Sequence, residues 1–214
     1  MSRRLVIFGA GGHAKVVVDA IVQQGDSVAG VFDGDAGRHG QEWFGYTVLG
    51  GLDAMIDFAA SEGVDAVVVA IGDNRIRSMM GARIAERGLR FDSVVHPRAV
   101  VSPSARIGAG CVVMAGAVIN ADAVIGEHAI INTCASVDHD CWVAEGAHIG
   151  PGARLCGGVK VGRRVLFGAG AVAIPGFSVG DDAIVPAGGV VRGDVPARTR
   201  HPDKIRSSQS NEGE

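Results

Sequence analysis

Aliphatic residues return at every sixth position through the second half of the chain. From Val95 the steps land on Val101, Ile107, Val113, Ile119, Ile125, Ile131, Val137, Val143, Ile149, Leu155, Val161, Phe167, Ala173, Val179, Val185 and Val191. Four residues beyond each lies a second, mostly small series that includes Ala99, Ala105, Cys111, Ala117, Ala123, Cys141, Ala153 and Gly189. The residue just after the aliphatic is often glycine, as at Gly108, Gly126, Gly150, Gly162, Gly168 and Gly180. No insertion breaks this register over about one hundred residues. A period of six gives each short strand one large and one small inward side chain, then a turn. Three such strands close a triangular coil, and coils stack at the ordinary strand spacing of ~4.8 Å. The pattern predicts a left-handed parallel β-helix over residues 94–196, about five to six coils long, with flat sides that invite three-fold self-association.

The first part of the chain has a different rhythm. Leu5-Val6-Ile7-Phe8 reads as a buried parallel strand, and Gly9-Ala10-Gly11-Gly12-His13-Ala14 as a tight turn. Lys15 to Gln24 reads as a helix with Val16, Val17, Ala20 and Ile21 on its apolar side. Val28 to Phe32 is a second strand ending at Asp33-Gly34-Asp35, residues 53–61 form a short helix, and Asp65 to Ile71 is a third strand. Gly72-Asp73-Asn74-Arg75 leads into a helix running to about Arg87, with a last short strand near residues 89–95. Strands alternating with helices predict an α/β, Rossmann-like domain at residues 1–92 with a parallel sheet. Residues 197–214 read as a polar tail, disordered from 203 to 214.

Composition agrees with this division. Glycine supplies 33 of 214 residues without a collagen-like triplet, so the excess belongs to repeated turns. Aromatics are only 5%, which leaves the core to small and branched aliphatics. A formal net charge of -3 offers no basic field for nucleic acid. No segment resembles a signal peptide or reaches the length of a membrane span, so the expectation is a cytoplasmic enzyme with no membrane partner. Cys111, Cys134, Cys141 and Cys156 are not spaced as a zinc site or a disulfide framework, and no metal is expected. Cys111 and Cys141 fall in the small inward series, which makes them core residues.

Two places carry candidate chemistry. In the glycine turn, Gly9, Gly11 and Ala14 fit a dinucleotide fingerprint, with Asp33 where a ribose-binding acid stands. An intact dinucleotide site needs two mononucleotide halves, and about ninety residues hold roughly one. A half-site for one nucleotide is favoured: amides of Gly11, Gly12 and His13 meet phosphate at a helix N-terminus, and Asp33 and Asp35 accept hydrogen bonds from ribose or base. The alternative is that the glycines only let strand and helix pack closely. In the β-helix, Val137 and Cys141 point inward and leave Asp138-His139-Asp140 outside. A histidine flanked by carboxylates can accept a proton near neutral pH, though a solvated surface histidine is the bland reading. His148 lies half a coil away, on another side of the prism. His128 is outward with no neighbouring acid and no evident role. Asn120 and Asn132 fit structural bridging somewhat better than substrate contact. An ice- or surface-binding solenoid would need regular outward rows of one residue type, and these are missing.

The chain resembles the two-domain sugar O- and N-acyltransferases of sialic-acid and bacillosamine biosynthesis. The resemblance rests on Gly9 to Val17, Ile71-Gly72-Asp73-Asn74-Arg75, Ile131-Asn132-Thr133, Val137-Asp138-His139-Asp140 and His148-Ile149-Gly150-Pro151-Gly152, and it spans residues 3 to about 200. It implies an acetyl-CoA-dependent transferase acting on the C4 amine of a UDP- or GDP-linked 4-amino-4,6-dideoxyhexose. O-acetylation of sialic acid or a related sugar is the alternative, and a nucleotide-sugar sensor without catalysis is a third reading. It further implies a homotrimer with active sites between subunits. His139 is the implied base and Asp140 its supporting acid, where many relatives carry glutamate. His148 is implied near the thioester carbonyl, and Gly168, Ala169, Gly170 and Ala171 along acetyl-CoA. Gly11, Gly12, His13, Asp33, Asp35, Asn74 and Arg75 are implied around the nucleotide sugar. Gly34 replaces a second acid common in the family's nucleotide loop.

Overall fold

The computed structural model describes residues 2–64 and 66–201. The expected disordered end at 203–214 and the start of the third strand at Asp65 lie outside the described residues. The first unit contains β1 (Arg4–Phe8), α1 (Gly12–Gln23), β2 (Ser27–Phe32), β3 (Glu42–Trp43), β4 (Tyr46–Thr47), α2 (Leu52–Glu62), β5 (Ala66–Val69), α3 (Asn74–Ala85) and β6 (Arg90–Phe91). The main sheet is parallel with the order β2-β1-β5-β6. Leu5, Val6 and Ile7 are fully buried, as a strand covered on both faces requires.

Three details depart from the sequence reading. Helix α1 begins at Gly12, so Gly12, His13 and Ala14 are its first turn rather than part of the loop. Gly11 adopts extended backbone at the N-cap and lends no side chain, which leaves the first-turn amides open. The hairpin β3–β4 was not anticipated. Its two-residue loop is Phe44-Gly45, both with positive φ (49° and 79°), as a type I′ turn demands. Phenylalanine in that position hides the usual Asn-Gly signal. Finally, the strand expected near 89–95 is two strands: β6 closes the first sheet, while Val94–Val95 already belongs to the solenoid.

The remainder is a parallel β-solenoid. Its two-residue strands stack into sheets of six, six and five strands, hereafter the first, second and third sides, beginning at Val94–Val95, Val100–Val101 and Arg106–Ile107. Register advances by one coil: Val112 pairs with Ile130, and Ile130 with His148. Both inward series meet in one core in which Ile119, Ile131, Val137, Ala147 and Phe167 are fully buried. Each buried aliphatic contributes roughly 1.5–3 kcal/mol, so the repeat itself holds the prism together. Cys111 and Cys141 lie in this core, with their thiols donating to the carbonyls of Gly126 and Cys156.

The turns follow an equally strict rule. Every sixth residue from Gly110 to Gly188 has positive φ. Glycine fills most of these places, and Asp122, His128, Cys134, Asp140, Arg164 and Asp182 fill the rest. The glycines after the aliphatics serve a second need. A Cβ on Gly108, Gly126, Gly150, Gly162, Gly168 or Gly180 would approach the next coil to between 2.5 and 2.8 Å.

The α/β unit lies on the first side of the prism. Val17, Val18 and Ile21 of α1 share a core with Val94, Val112 and Ile130. A polar clasp accompanies this seam. Arg77, only 1% exposed, donates to the carbonyls of Ile71 and Gly72 in its own unit and to those of His128 and Gly146 on the solenoid. His128 is thus no idle outward residue. It is buried at the junction, with its ring edge-on to Phe91 at 4.5 Å.

Candidate active site

Asp138, His139 and Asp140 form the corner between the second and third sides. Val137 and Cys141 anchor that corner inward, so the three polar side chains face out. Asp140 holds the left-handed position, φ 58°, which a short Asx side chain tolerates better than a long one. From there its Oδ2 reaches His139 Nδ1 at 2.7 Å. This contact assigns the proton to Nδ1 and leaves the Nε2 lone pair outward. Asp140, then Asp138, raise the histidine's pKa above its ordinary value. Asp138 is fixed in turn by the His139 amide at 2.8 Å and by Asn120 Nδ2 at 2.9 Å, which hold its carboxyl below the usual range. Asn120 therefore bridges stacked coils and also orders the acid beside the histidine. The dyad is largely solvent-exposed within one chain, at 61% and 68% of the two side chains.

A second concave site opens at the carboxyl edge of the parallel sheet, where ligands enter open α/β folds. It is a cleft of about 670 Å³ lined by Gly11, Gly12, His13, Asp33, Asp35 and Gly72, among others. The glycines of the turn divide by role. A Cβ on Gly9 would stand 2.9 Å from the Ala70 carbonyl, so Gly9 serves strand packing, whereas Gly11 and Gly12 face open space. Asp33 is partly committed to the loop. One oxygen accepts the Ala10 amide at 2.6 Å and the other the Asp35 amide at 2.8 Å. Asp35 accepts from Gly37 and lies beside Arg38. The cleft's far wall was missed in the sequence: Ile76, Met79, Met80 and Arg83 of α3 line it. Ile76 and Met79 are apolar yet about half exposed, a surface that suits the face of a planar ring.

Two residues expected around the nucleotide sugar point elsewhere. Asn74 donates to the carbonyls of Arg164 and Val165 and accepts from Arg77, so its side chain belongs to the clasp. Arg75 extends toward Asp182 at 3.8 Å and does not line the cleft. Both lie just past the cleft floor, where helix α3 turns toward the solenoid.

His148 stands on the first side, where cleft and solenoid meet. Its ring is 6.3 Å from that of His13. Asn132 Oδ1 accepts the Thr133 amide, which turns its Nδ2 toward His148 Nε2 at 3.0 Å. His148 is therefore neutral with its proton on Nδ1. That nitrogen is buried without a well-formed bond, although the Gly72 backbone is close enough to oppose the fall in pKa. Burial, reinforced by Arg77, pushes His148 down to about 4, and the same two causes push His13 to about 4.

The expected acetyl-CoA stretch lies on the corner between the first and second sides. Ala171 points into the core and can offer only backbone, and Gly168 is held by stacking against Ala187. Ala169 and Gly170 are the exposed members. In a triangular coil the corner bearing His139 lies opposite the side bearing His148, so one chain cannot bring these two rings to one acyl group. Among the thiols, burial raises Cys141 and pushes Cys111 up to about 11, while Cys134 is exposed and Cys156 half-buried.

Comparison with known proteins agrees with both halves. The family model for the PglD N-terminal domain matches residues 4–84, and those for bacterial transferase hexapeptides and the hexapeptide repeat of succinyl-transferase match residues 140–173 and 158–192. The chain is similar to perosamine N-acetyltransferase from Caulobacter crescentus, solved with CoA and GDP-perosamine. The identity is 45% and the TM-score 0.86, over 92% of this chain and 91% of that one. It is also similar to the acetyltransferase domain of PglB from Neisseria gonorrhoeae, solved with acetyl coenzyme A. There the identity is 36% and the TM-score 0.85, over 94% and 96% of the two chains. WeeI from Acinetobacter baumannii matches at 25% identity and TM-score 0.82, over 93% and 96%.

Proposed function

The chain belongs to the two-domain acetyltransferases that join a PglD-type N-terminal domain to hexapeptide repeats, and on that premise we propose that it moves the acetyl group of acetyl-CoA onto the C4 amine of a nucleotide-linked 4-amino-4,6-dideoxyhexose. The observation that carries the reading is the pairing of an open nucleotide-sized cleft with an outward-facing His139–Asp140 dyad on a hexapeptide scaffold. A relative that shares nearly the whole chain was solved with a GDP-linked amino sugar, so GDP-sugars are the first acceptors to try.

In this reading the nucleotide lies in the cleft, with its phosphates over the open amides of Gly11, Gly12 and His13. Asp33 and Asp35 use their remaining lone pairs on the ribose or base, and Ile76 and Met79 pack on the base. The sugar reaches the junction at His148. Acetyl-CoA runs past Ala169 and Gly170, and the reacting centre is completed by His139 from a neighbouring copy in a homotrimer. The exposure of the dyad in one chain supports such sharing. Drawing on acetyl-CoA, the reaction belongs in the cytoplasm. No described helix is long and apolar enough to cross a membrane.

The chemistry is direct transfer. The amine lone pair attacks the thioester carbonyl carbon, the C–N bond forms as the C–S bond breaks, and the amine proton passes to His139 Nε2. The buried, alkaline-shifted Cys111 and Cys141 offer no thiolate for an acyl-enzyme, and full turnover in Cys156→Ala would exclude the half-buried thiol one coil above Asp138. Holding both substrates at fixed geometry supplies much of the rate. Acetyl-CoA presented with a panel of GDP-, UDP- and CMP-sugars, read by CoA release and product mass, tests the reading. Turnover only with a hydroxyl acceptor, or with none, would overturn it.

A further inference from the structure

Directly above His139 in the next coil stands Gly157, and its missing side chain is filled by the imidazole. A Cβ built at Gly157 would lie 2.6 Å from both Cε1 and Nε2 of His139 and 3.3 Å from Nδ1. The ring thus leans along the prism over the following corner, while its side chain stays 61% exposed. The backbone ties the same two levels together, because the Gly158 amide donates to the His139 carbonyl at 2.9 Å. Gly157 does not need to be glycine for its own conformation, since its φ is not in the left-handed range, unlike that of Gly158 at +69°. The six-residue repeat does not demand it either, for this turn position is Ala115, Ala121, Ala169 and Ala187 in other coils. The one clash that the structure gives an alanine there is with the histidine ring.

We infer that Gly157 is a positioning residue: by lacking a side chain it seats the His139 imidazole against the coil above, so that Asp140 holds Nδ1 and Nε2 is presented at the level of Cys156 and Gly157. The inference rests on His139 being the base of the proposed reaction. Two anchors define the ring. Asp140 fixes one edge at 2.7 Å, and the bare backbone of Gly157 gives the opposite edge its seat. Filling the seat forces the ring to swing outward about its side-chain bonds, which removes it from Asp140. The side chain is largely exposed, so the displaced ring moves into solvent and the fold absorbs the change at small cost.

The neighbouring glycines give opposite expectations. Gly157→Ala should keep its melting temperature within about 2 °C while kcat falls roughly 10²-fold, the loss expected when a general base is misplaced. Its KM for acetyl-CoA should change little. Gly158→Ala meets nothing within 4 Å but must hold a left-handed backbone, so it should lose about 2–4 °C of melting temperature and retain kcat. Ring carbon NMR of His139 in Gly157→Ala should show its titration falling back toward the ordinary histidine value, a change that a merely structural glycine would not produce. His139→Asn serves as the reference. If that variant keeps full turnover, the base assignment fails. If it is inactive while folded Gly157→Ala keeps turnover within about twofold and the His139 titration is unmoved, the positioning role fails instead. Collapse of the fold in Gly157→Ala would also overturn it, since the backbone rather than the ring would then be what gives way.

Discussion

Arg77 Nη1 donates to the carbonyl of Gly72 at 3.1 Å, so one buried guanidinium grips the floor of the nucleotide cleft. The other nitrogens of the same group bind solenoid carbonyls at His128 and Gly146. No carboxylate accompanies it in these contacts. Burial pushes its pKa down to about 10, which still leaves it charged at neutral pH. Its work is to set where the cleft stands relative to His148.

Arg77→Met should therefore cost at least about 2 kcal/mol, because several buried carbonyls lose their donor at once. Among folded molecules the nucleotide-sugar KM should rise more than the acetyl-CoA KM. Denaturant melts and steady-state kinetics check both parts. An unchanged midpoint would show that the clasp is dispensable.

Replacing Gly11 with alanine should leave stability nearly intact, since nothing lies within 4 Å, and raise the nucleotide-sugar KM about tenfold by crowding the phosphate seat. Gly9→Ala should do the reverse. It meets the Ala70 carbonyl at 2.9 Å from a φ of +116° and should lose about 2 kcal/mol. Comparing melts with KM values separates the binding glycine from the packing glycine.

His139 must be unprotonated to act, and Asp140 raises its pKa. The rising limb of kcat/KM should thus lie above the pH of an ordinary histidine. Asp140→Asn should shift that limb to lower pH while reducing kcat about tenfold, because the ring loses its orientation. A limb that stays put in this variant would remove Asp140 from the dyad.

His13 and His148 predict an acid weakness. Their folded pKa values, near 4, lie below the unfolded value of 6.5, so the unfolded chain binds more protons between those limits. Stability is full above the unfolded value and falls as pH drops toward 4, by on the order of a few kcal/mol for the two neighbouring rings together. His148→Gln should flatten part of this slope in melts taken across the range.

The solenoid was readable because its rule is local and repeated. An inward aliphatic every sixth residue leaves no second way to bury Ile119, Ile125 and Ile131. The His139 corner was readable for the same reason, since fixing Val137 and Cys141 inward forces the intervening residues out. What stayed hidden depends on contacts distant in sequence. Asn74 and Arg75 stand beside a glycine turn in the motif, yet their partners lie ninety or more residues later, at Arg164, Val165 and Asp182. The cleft wall at Ile76 and Met79 reads as an ordinary apolar helix face until the packing of α3 is known. Hairpin β3–β4 escaped because Phe44 accepts a left-handed backbone that its residue type disfavours.

The ladder of left-handed turn residues also maps where this scaffold can be re-engineered. Glycine is the relaxed occupant of each rung, and a side chain there strains the backbone by on the order of 1 kcal/mol. Each departure from glycine is thus a place to look for a purpose. Asp140 holds the histidine, Arg164 and Asp182 bind one another in adjacent coils at 2.7 Å, and His128 fills the seam between the units. Cys134, exposed on its corner, is a rung where restoring glycine should give both a calmer turn and an oxidation-resistant surface.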